Sequence, residues 1–262
     1  MKSSCSVLII AAIVLLVTSV GRGAILAFDN ASQAAYDDGW QSGDNGGSGF
    51  GPWSFSEFGS GGIASSTANG DAQPPAGDID SAGSRAWSLT HGRTVGSSFN
   101  ATRPLMGNLA VGQHILFDAD AVDTAGPNSN IFSAELDNAT GSRWKFYVDE
   151  FGARLNDRPG TVHSATPEGF HIDFTLTGSD SYTMSINVLG EAPTILNGTL
   201  SGDIGSPIDR IRFSNVLNLG QDVFYANNLA VTPEPASPAF LVVGMCVAVG
   251  RRRRSVKPNS AI

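Results

Sequence analysis

Apolar and polar residues alternate with a period of two in several short stretches of this 262-residue chain. In residues 170–176 every even-numbered position is apolar (Phe, Ile, Phe, Leu) and every odd-numbered position is polar (His, Asp, Thr). Residues 182–188 repeat the pattern with Tyr, Met, Ile and Val at the even-numbered positions. Successive side chains of a strand point to opposite faces, so both stretches predict half-buried strands. The short connection Gly178–Ser181 predicts that they pair as a hairpin.

Similar alternations recur along the chain and predict further strands. These are expected at residues 25–28, 85–90, 94–99, 114–122, 131–137, 143–148, 195–200, 208–214 and 223–231. Turn-forming residues separate them at short intervals, and no long stretch has the 3.6-residue period of an amphipathic helix. The pattern therefore predicts an all-β chain, with a single jelly-roll or β-sandwich domain over residues 24–232.

Residues 36–53 interrupt this pattern with a segment rich in glycine and in Asp-Asn turn formers. We expect its backbone to fold back tightly, with Trp40, Phe50 and Trp53 packed onto the core. The alternative is that Trp40 and Trp53 are exposed and stack on a sugar ring. A phosphate-binding loop is excluded, because no Gly-Lys-Ser or Gly-Lys-Thr follows the glycines. Residues 59–84 are expected to form a long surface loop.

The N-terminal segment has the three-part layout of a secretory signal peptide. Lys2 precedes an apolar run over residues 7–20, and small residues follow it. This layout predicts a signal helix that is cleaved between Gly23 and Ala24. The alternative is an uncleaved N-terminal anchor, although the apolar run is shorter than a membrane span requires.

The C-terminal segment combines a rigid hinge, an apolar stretch and a cluster of cations. Proline locks φ and lacks a backbone donor, so Pro233-Glu234-Pro235 ends the preceding strand. Residues 239–250 carry no charge; as a helix they extend about 18 Å, less than the roughly 30 Å hydrocarbon core. The cations that follow snorkel to the headgroups and keep the C-terminus cytoplasmic. They are Arg251, Arg252, Arg253 and Arg254. The alternative is a buried C-terminal core helix.

These C-terminal features resemble the PEP-CTERM sorting signal of bacteria that secrete abundant exopolysaccharide. The resemblance implies that an exosortase, a membrane-embedded cysteine protease, recognises the Pro-Glu-Pro region and processes the chain near it. It also implies a protein that is transiently anchored in the membrane by its C-terminus and then located at the cell envelope or outside the cell. The Gly- and Trp-rich segment 36–53 is similar to an opening block found in such exported proteins.

The charge distribution excludes one class of partner. Seven of the 16 basic residues belong to the terminal segments: Lys2, Arg22, Arg251–Arg254 and Lys257. Nine basic residues therefore remain against 24 acidic ones counted through Glu234. Such a negative field repels nucleic acid, and it favours solubility or binding of divalent cations outside the cell.

The two cysteines, Cys5 and Cys246, both lie in these terminal segments. Residues 24–232 therefore have no disulfide, no thiolate nucleophile and no cysteine-based zinc site. The four histidines, at positions 91, 114, 163 and 171, lack the spacing of a zinc motif.

Asp118, Asp120 and Asp123 are the candidate metal-binding or catalytic residues. Their spacing is similar to the Glu-x-Asp-x-x-Glu strand of one concanavalin-A-like glycosidase family, with aspartate at both outer positions. Alternation places Asp118 and Asp120 on one side of a strand, and a bulge would bring Asp123 to join them. Three interpretations stay open: a solvated strand face, a calcium site, or a catalytic pair formed by Asp118 and Asp123.

The strand spacing and the final segment 222–229, which contains two adjacent asparagines, resemble a concanavalin-A-like jelly roll of the lectin type. In such modules the last strand returns beside the first. Together these features favour an exported, non-catalytic protein with a structural or adhesive role and contact with exopolysaccharide. The alternatives are a calcium-dependent carbohydrate-binding module and, third, a glycoside hydrolase.

Overall fold

The period-two stretches form the strands of two antiparallel sheets in the computed structural model of the chain. The structure describes residues 25–58, 65–66, 79, 85–89, 98–121, 131–149, 151–164, 169–188, 190–216 and 224–233. The expected signal helix, the apolar helix 239–250 and most of the loop 59–84 lie outside these residues. The prediction of an all-β sandwich is confirmed.

The described residues contain fifteen strands. In chain order they are β1 (Ala27–Asp29), β2 (Ser54–Phe58), β3 (Ser65–Ser66), β4 (Trp87–Leu89), β5 (Ser98–Pro104), β6 (His114–Ala121), β7 (Ile131–Asn138), β8 (Gly141–Asp149), β9 (Gly152–Leu155), β10 (Thr161–His163), β11 (Phe170–Leu176), β12 (Ser181–Asn187), β13 (Thr194–Thr199), β14 (Arg210–Val216) and β15 (Phe224–Thr232). A single 3-10 turn, Ala34–Tyr36, lies between β1 and β2.

The first sheet has the strand order β13-β12-β11-β6-β15-β4-β3, and β1 also pairs with β15. The predicted hairpin is confirmed, because β11 pairs with β12. The last strand, β15, lies between β6 and β1, as the jelly-roll resemblance implies. The second sheet has the order β10-β9-β8-β7-β14-β5-β2. These strands belong to one compact unit from Ile25 to Pro233.

The inward positions of both sheets form one hydrophobic core. In β11 and β12 the even-numbered apolar residues are buried, as the alternation predicts. Four tryptophans lie in this core, and three of them pack against one another in edge or tilted contacts: Trp40, Trp53 and Trp87. Rings in such geometries add stabilisation beyond the area they bury.

A buried polar cluster fixes the Gly-rich segment 36–53 against the sheets. Arg103 of β5 pairs with Asp29 at the end of β1 and donates to the Tyr36 hydroxyl at 2.8 Å and to the Gly46 carbonyl at 2.7 Å. The indole of Trp53 also donates to the Tyr36 hydroxyl, at 3.1 Å. The terminal nitrogens of Arg103 and the Trp53 indole thereby gain acceptors, as burial requires, whereas the Arg103 Nε finds none among the described residues.

One glycine of this segment is required by close backbone approach. Gly47 has φ +66°, and a Cβ atom there would overlap the carbonyl oxygen of Phe28. The residue at position 48 pairs with Phe28 through two backbone hydrogen bonds of 2.8 and 2.9 Å. The tight fold-back predicted from the glycines is therefore confirmed.

Four short strands were absent from the sequence prediction: β2, β3, β9 and β10, of which β3 lies within the expected loop 59–84. In β2, Phe55 packs partly buried against the core, while its neighbours are mostly exposed. Of the strand predicted at residues 94–99, the described part begins at Ser98; it continues to Pro104, because the chain pairs there with β14 and β2. Tertiary pairing thus decides strand ends that local pattern leaves open.

Candidate functional site

An imidazole–carboxylate pair joins β6 and β11 on the outward face of the first sheet. Asp118 lies directly opposite His171 in the antiparallel register. The Nδ1 atom of His171 is 2.5 Å from Oδ1 of Asp118, and Asn228 donates its Nδ2 to Oδ2 of Asp118 at 2.6 Å. Both oxygens of Asp118 are therefore engaged by neighbouring side chains.

Asn228 reaches Asp118 because β15 is irregular at this point. The pairing of β15 with β6 shifts register between Asn227 and Ala230, and Asn228 adopts a left-handed φ of 51°. Asparagine tolerates this conformation better than most residues. The bulge thus aims the Asn228 amide at the carboxylate on the neighbouring strand.

A second imidazole–carboxylate pair lies on the same two strands, further along each of them. His114 of β6 is opposite Thr175 of β11, and its Nδ1 atom lies 2.8 Å from Oδ1 of Asp173 and 3.0 Å from Oγ1 of Thr175. The contact to Asp173 is diagonal across the ladder, a spacing that long side chains span. Two imidazole–carboxylate pairs therefore stand side by side on one sheet surface.

Hydroxyl and amide side chains extend this surface onto β12. Thr183, Ser185 and Asn187 occupy the positions opposite Thr175, Asp173 and His171. We call the whole set the polar face: His114, Asp118, His171, Asp173, Thr175, Thr183, Ser185 and Asn187. Between residues 114 and 118 it extends about 13 Å along the strands.

The charge state of His171 is set by its partner. The hydrogen bond to Asp118 raises the pKa of His171 above its ordinary value, and the charges of Asp118 and Asp173 act in the same direction. Partial burial opposes the shift. His171 thus stays cationic over a wider pH range than a free imidazole.

The contacts of His114 differ from those of a nucleophilic triad. A nucleophilic triad places the acid and the nucleophile on different ring nitrogens, whereas Asp173 and Thr175 both contact Nδ1 of His114. The described contacts of both imidazoles engage Nδ1, and Nε2 takes no part in them. The polar face thus offers alternating donors and acceptors over several strands.

The predicted acidic site is only partly assembled in the described residues. Asp118 and Asp120 share one side of β6, as alternation requires, but they are buried, with 9% and 1% exposure. The interpretation as a solvated strand face is therefore wrong for both. Asp123, the third predicted ligand and the second residue of the predicted catalytic pair, lies outside the described residues.

Asp118 and Asp120 are the two predicted calcium ligands that fall within the described residues. No group of three acidic, histidine or cysteine side chains among them is placed to hold a metal ion. Calcium needs six to eight oxygen ligands, and the two oxygens of Asp118 already accept hydrogen bonds from His171 and Asn228.

The tryptophans proposed for sugar stacking lie in the core. Trp40 and Trp53 have 0% and 1% exposure, and they pack against each other with ring centroids 4.9 Å apart. Neither ring presents a face to solvent, so the prediction of a stacking site at Trp40 and Trp53 is corrected to core packing. The reason is the Arg103 cluster, which draws the Gly-rich segment onto the sheets.

The sorting residues predicted from the termini lie almost wholly outside the described part of the chain. Pro233 is its last residue. Outside it are Gly23, Ala24, Glu234, Pro235, Arg251, Arg252, Arg253 and Arg254. Within the described ranges, no helix is long and apolar enough to cross a bilayer.

Sequence reasoning missed the role of His114, His171 and Asp173. It tested the histidines for zinc spacing along the chain, whereas their partners come from register across two strands. The usable signal was the outward set of each alternation, which places histidine and aspartate four residues apart in β6 and two residues apart in β11.

Comparison with known proteins gives no family. No protein-family model matches the chain, and no curated protein matches it. Among solved structures, a carbohydrate esterase of a Shiga toxin-encoding bacteriophage aligns at 15% identity over 70% of this chain and 90% of its own, with a TM-score of 0.44. A family 11 carbohydrate-binding module from Clostridium thermocellum aligns at 11% identity over 69% and 88%, with a TM-score of 0.34. A lectin from Bauhinia forficata aligns at 10% identity over 68% and 100%, with a TM-score of 0.38. Likeness at this level transfers no function to the chain.

Proposed function

We propose that this chain is an exported, envelope-sorted protein with a non-catalytic structural or adhesive role, and that its polar face contacts matrix exopolysaccharide. The observation that carries the adhesive part is the pair of imidazole–carboxylate contacts on β6 and β11. They hold two rings in fixed orientation beside a row of hydroxyl and amide groups. Fixed donors and acceptors lose little conformational entropy when a ligand binds.

A sugar chain fits this surface chemically. Its hydroxyl groups donate and accept hydrogen bonds, and the polar face supplies both functions from imidazole, carboxylate, hydroxyl and amide groups. The exported region carries a large negative charge, which disfavours a strongly anionic polymer. We therefore propose a neutral or weakly charged polysaccharide as the ligand.

The contact is proposed to be independent of metal ions. Calcium-dependent carbohydrate binding would need oxygen ligands beyond Asp118. A group of three acidic, histidine or cysteine side chains placed to hold a metal ion is not found in the described ranges. Addition of calcium, or its removal with a chelator, should leave both the melting temperature and polysaccharide binding unchanged. A calcium-dependent rise in either would favour the carbohydrate-binding module with a bound cation.

The sorting part rests on the terminal segments. An exosortase-type protease is the proposed partner at Pro233-Glu234-Pro235, and residues 239–250 with the arginine cluster form the proposed transient membrane anchor. The proposed destination is the outer envelope or the extracellular matrix.

Fractionation of the producing cells tests both parts. The protein should be recovered with the matrix polysaccharide, as a chain that begins near Ala24 and ends close to Pro235 by intact mass. A chain that still carries Arg251–Arg254 would identify the tail as a plain anchor. A correctly processed chain found only in the polysaccharide-free medium would contradict the adhesive role while leaving sorting intact.

A further inference from the structure

A row of apolar side chains crosses the outward surface of the first sheet between the two imidazole–carboxylate pairs. In the ladder of β6, β15 and β1, Leu116 lies opposite Ala230, and Ala230 lies opposite Phe28. Residues directly opposite each other in antiparallel strands point to the same side of the sheet, with Cβ atoms about 5 Å apart. Leu116 shares its side of β6 with His114 and Asp118, so the row belongs to the same surface as both pairs.

These apolar side chains do not contribute to the core. Leu116 and Phe28 are half-buried, and neither packs against the hydrophobic cluster that the described residues form between the sheets. Ala230 is buried, at 9% exposure, yet it also lies outside that cluster. A methyl side chain between two larger apolar side chains leaves a shallow depression. We call it the apolar notch; it is formed by Leu116, Ala230 and Phe28.

Polar side chains border the apolar notch on three sides. On one side His114 lies opposite Thr232. On the other side lies Asp118, with the amide of Asn228 bonded to it. Asp173 of β11 lies opposite the leucine of the notch and forms the third side. The rows of residues 114 and 118 are about 13 Å apart along β6, which accommodates one sugar ring with its hydroxyl groups.

An apolar base with a few polar groups around it is the general form of a site for a small organic ligand. A sugar presents the same two kinds of surface, because its C–H groups are apolar and its hydroxyl groups donate and accept hydrogen bonds. A hydroxyl group placed on the apolar notch would lack a partner, which is unfavourable. A methyl group placed there leaves water, which favours binding by about fourfold.

We infer that the apolar notch is a subsite for a sugar that carries a methyl group, either as C6 of a 6-deoxyhexose or within an acetyl substituent. The inference rests on the proposed function, and it names the class of sugar that the polar face binds. The methyl group lies on Ala230 between Leu116 and Phe28, and the ring hydroxyls contact the bordering polar groups. Neither substituent is charged, which suits the negative field of the body.

The first test uses the unmodified full chain and two pairs of monosaccharides. L-Fucose differs from L-galactose by the loss of the hydroxyl group at C6, and N-acetylglucosamine differs from glucose by an acetamido group. Saturation-transfer nuclear magnetic resonance identifies the ligand protons that contact the protein, and titration gives the affinity.

We expect transfer to the methyl protons of at least one methyl-bearing sugar, and an affinity about fourfold above that of its partner. A preference within the first pair identifies a 6-deoxyhexose, and a preference within the second identifies an acetylated sugar. Equal or absent binding within both pairs would overturn the inference. Because this test needs no variant, it stands even where a substitution impairs folding.

Variants of the apolar notch separate failure of this subsite from failure of the proposed function. Ala230→Leu fills the depression, and Leu116→Thr removes its apolar side while keeping a residue that favours strands. The matched control is Ile195→Thr, because Ile195 is 67% exposed on the same outward surface, on β13, three strands from β6. Titration calorimetry measures binding of polysaccharide from the producing cells.

We expect both notch variants to bind the polysaccharide about tenfold more weakly, and the control to bind like the unmodified protein. Binding that persists in both notch variants but is lost in the double variant His114→Ala, His171→Ala would overturn the subsite and leave the proposed function intact. Equal loss in Leu116→Thr and Ile195→Thr would also overturn the subsite. Absence of binding by the unmodified protein would overturn the proposed function and the subsite together.

Discussion

The guanidinium group of Arg103 and the carboxylate of Asp29 form an ion pair in which both side chains are fully buried. Asp29 ends β1 in the first sheet, and Arg103 lies on β5 in the second, so the pair links the two layers of the sandwich. The Arg103 guanidinium also lies 5.0 Å from the Phe50 ring centroid and 5.1 Å from that of Trp53. The pair therefore holds the Gly-rich segment and both sheets together.

Removing one partner of this pair should be strongly destabilising. Asp29→Asn leaves a buried cation without its counter-charge, which costs about 3–5 kcal/mol in comparable cases. Denaturant unfolding measures the loss. The control is Arg85→Ala, which breaks the exposed pair with Asp37 and should cost about 0–1 kcal/mol. Equal effects of the two variants would contradict the role given to the buried pair.

Asn227 should be a second residue whose replacement strongly destabilises the fold. Its amide is fully buried, accepts from the Ala31 amide at 3.0 Å and donates to the carbonyls of Ile79 at 3.0 Å and Arg85 at 2.7 Å. Asn227→Ala leaves these groups unsatisfied and should lower the free energy of unfolding by about 2–4 kcal/mol. Asn187→Ala, at an exposed position of β12, should change it by about 0.5 kcal/mol or less. A small effect at position 227 would show that water replaces the amide.

Asp137 should make the protein less stable as pH rises from about 4 to about 6. Burial raises the pKa of Asp137 to about 6, opposed by the charge of Arg212 and reinforced by that of Glu135. The folded state then binds a proton more tightly than the unfolded state, so stability declines as the carboxyl ionises. Asp137→Asn should remove this decline and raise the free energy of unfolding at pH 7 by about 2 kcal/mol.

Glu135→Gln is the matched control for Asp137→Asn, because Glu135 lies two positions from Asp137 on the same face of β7. Although burial alone would raise the pKa of Glu135, the opposing charges of Lys145 and Arg212 lower it. This carboxylate therefore stabilises the fold above its unfolded pKa, and that contribution is lost as pH falls. Glu135→Gln should destabilise at pH 7, opposite in sign to Asp137→Asn. The same sign for both variants would contradict the charge arrangement on this strand.

The His171 ring should titrate above its ordinary pKa, and Asp118 should be the main cause. Because the pKa of His171 is higher in the folded state than in the unfolded state, the protonated ring stabilises the fold. This stabilisation is complete below the unfolded-state pKa and is lost as pH rises through the folded-state pKa. Nuclear magnetic resonance of the ring protons measures this directly. Asp118→Asn should return the pKa toward its ordinary value, and Asp173→Asn should shift it less. A pKa unchanged by Asp118→Asn would contradict the pairing.

The hairpin and the core were predictable because they depend on local alternation. Residues 170–176 and 182–188 carry their buried and exposed faces in their own sequence, and a four-residue connection joins them. Strand β7 shows where alternation fails. Ser133, Glu135 and Asp137 lie on its outward face yet are buried. Lys145 and Arg212, from the two neighbouring strands, pair with Glu135 and help to cover it.

The candidate site was not predictable in the same way. The contact of Asp118 with His171 joins residues 53 positions apart and depends on the register of β6 against β11. Arg103 likewise lies beyond the predicted strand 94–99, whereas the structure places it on β5 and turns it inward to Asp29. Long-range register and buried ion pairs are tertiary properties that no local period encodes.

Polysaccharide binding by the polar face is the central claim, and titration calorimetry with polysaccharide from the producing cells tests it most directly. The double variant His114→Ala, His171→Ala should weaken binding by about tenfold or more, since two oriented hydrogen-bonding groups are lost. The control double variant Ser56→Ala, Phe151→Ala changes exposed residues, one on β2 of the second sheet and one in the connection between β8 and β9, and should bind like the unmodified protein. Loss of binding in the first variant alone is the predicted result. Unchanged binding in the first variant, or equal loss in both, would contradict the claim.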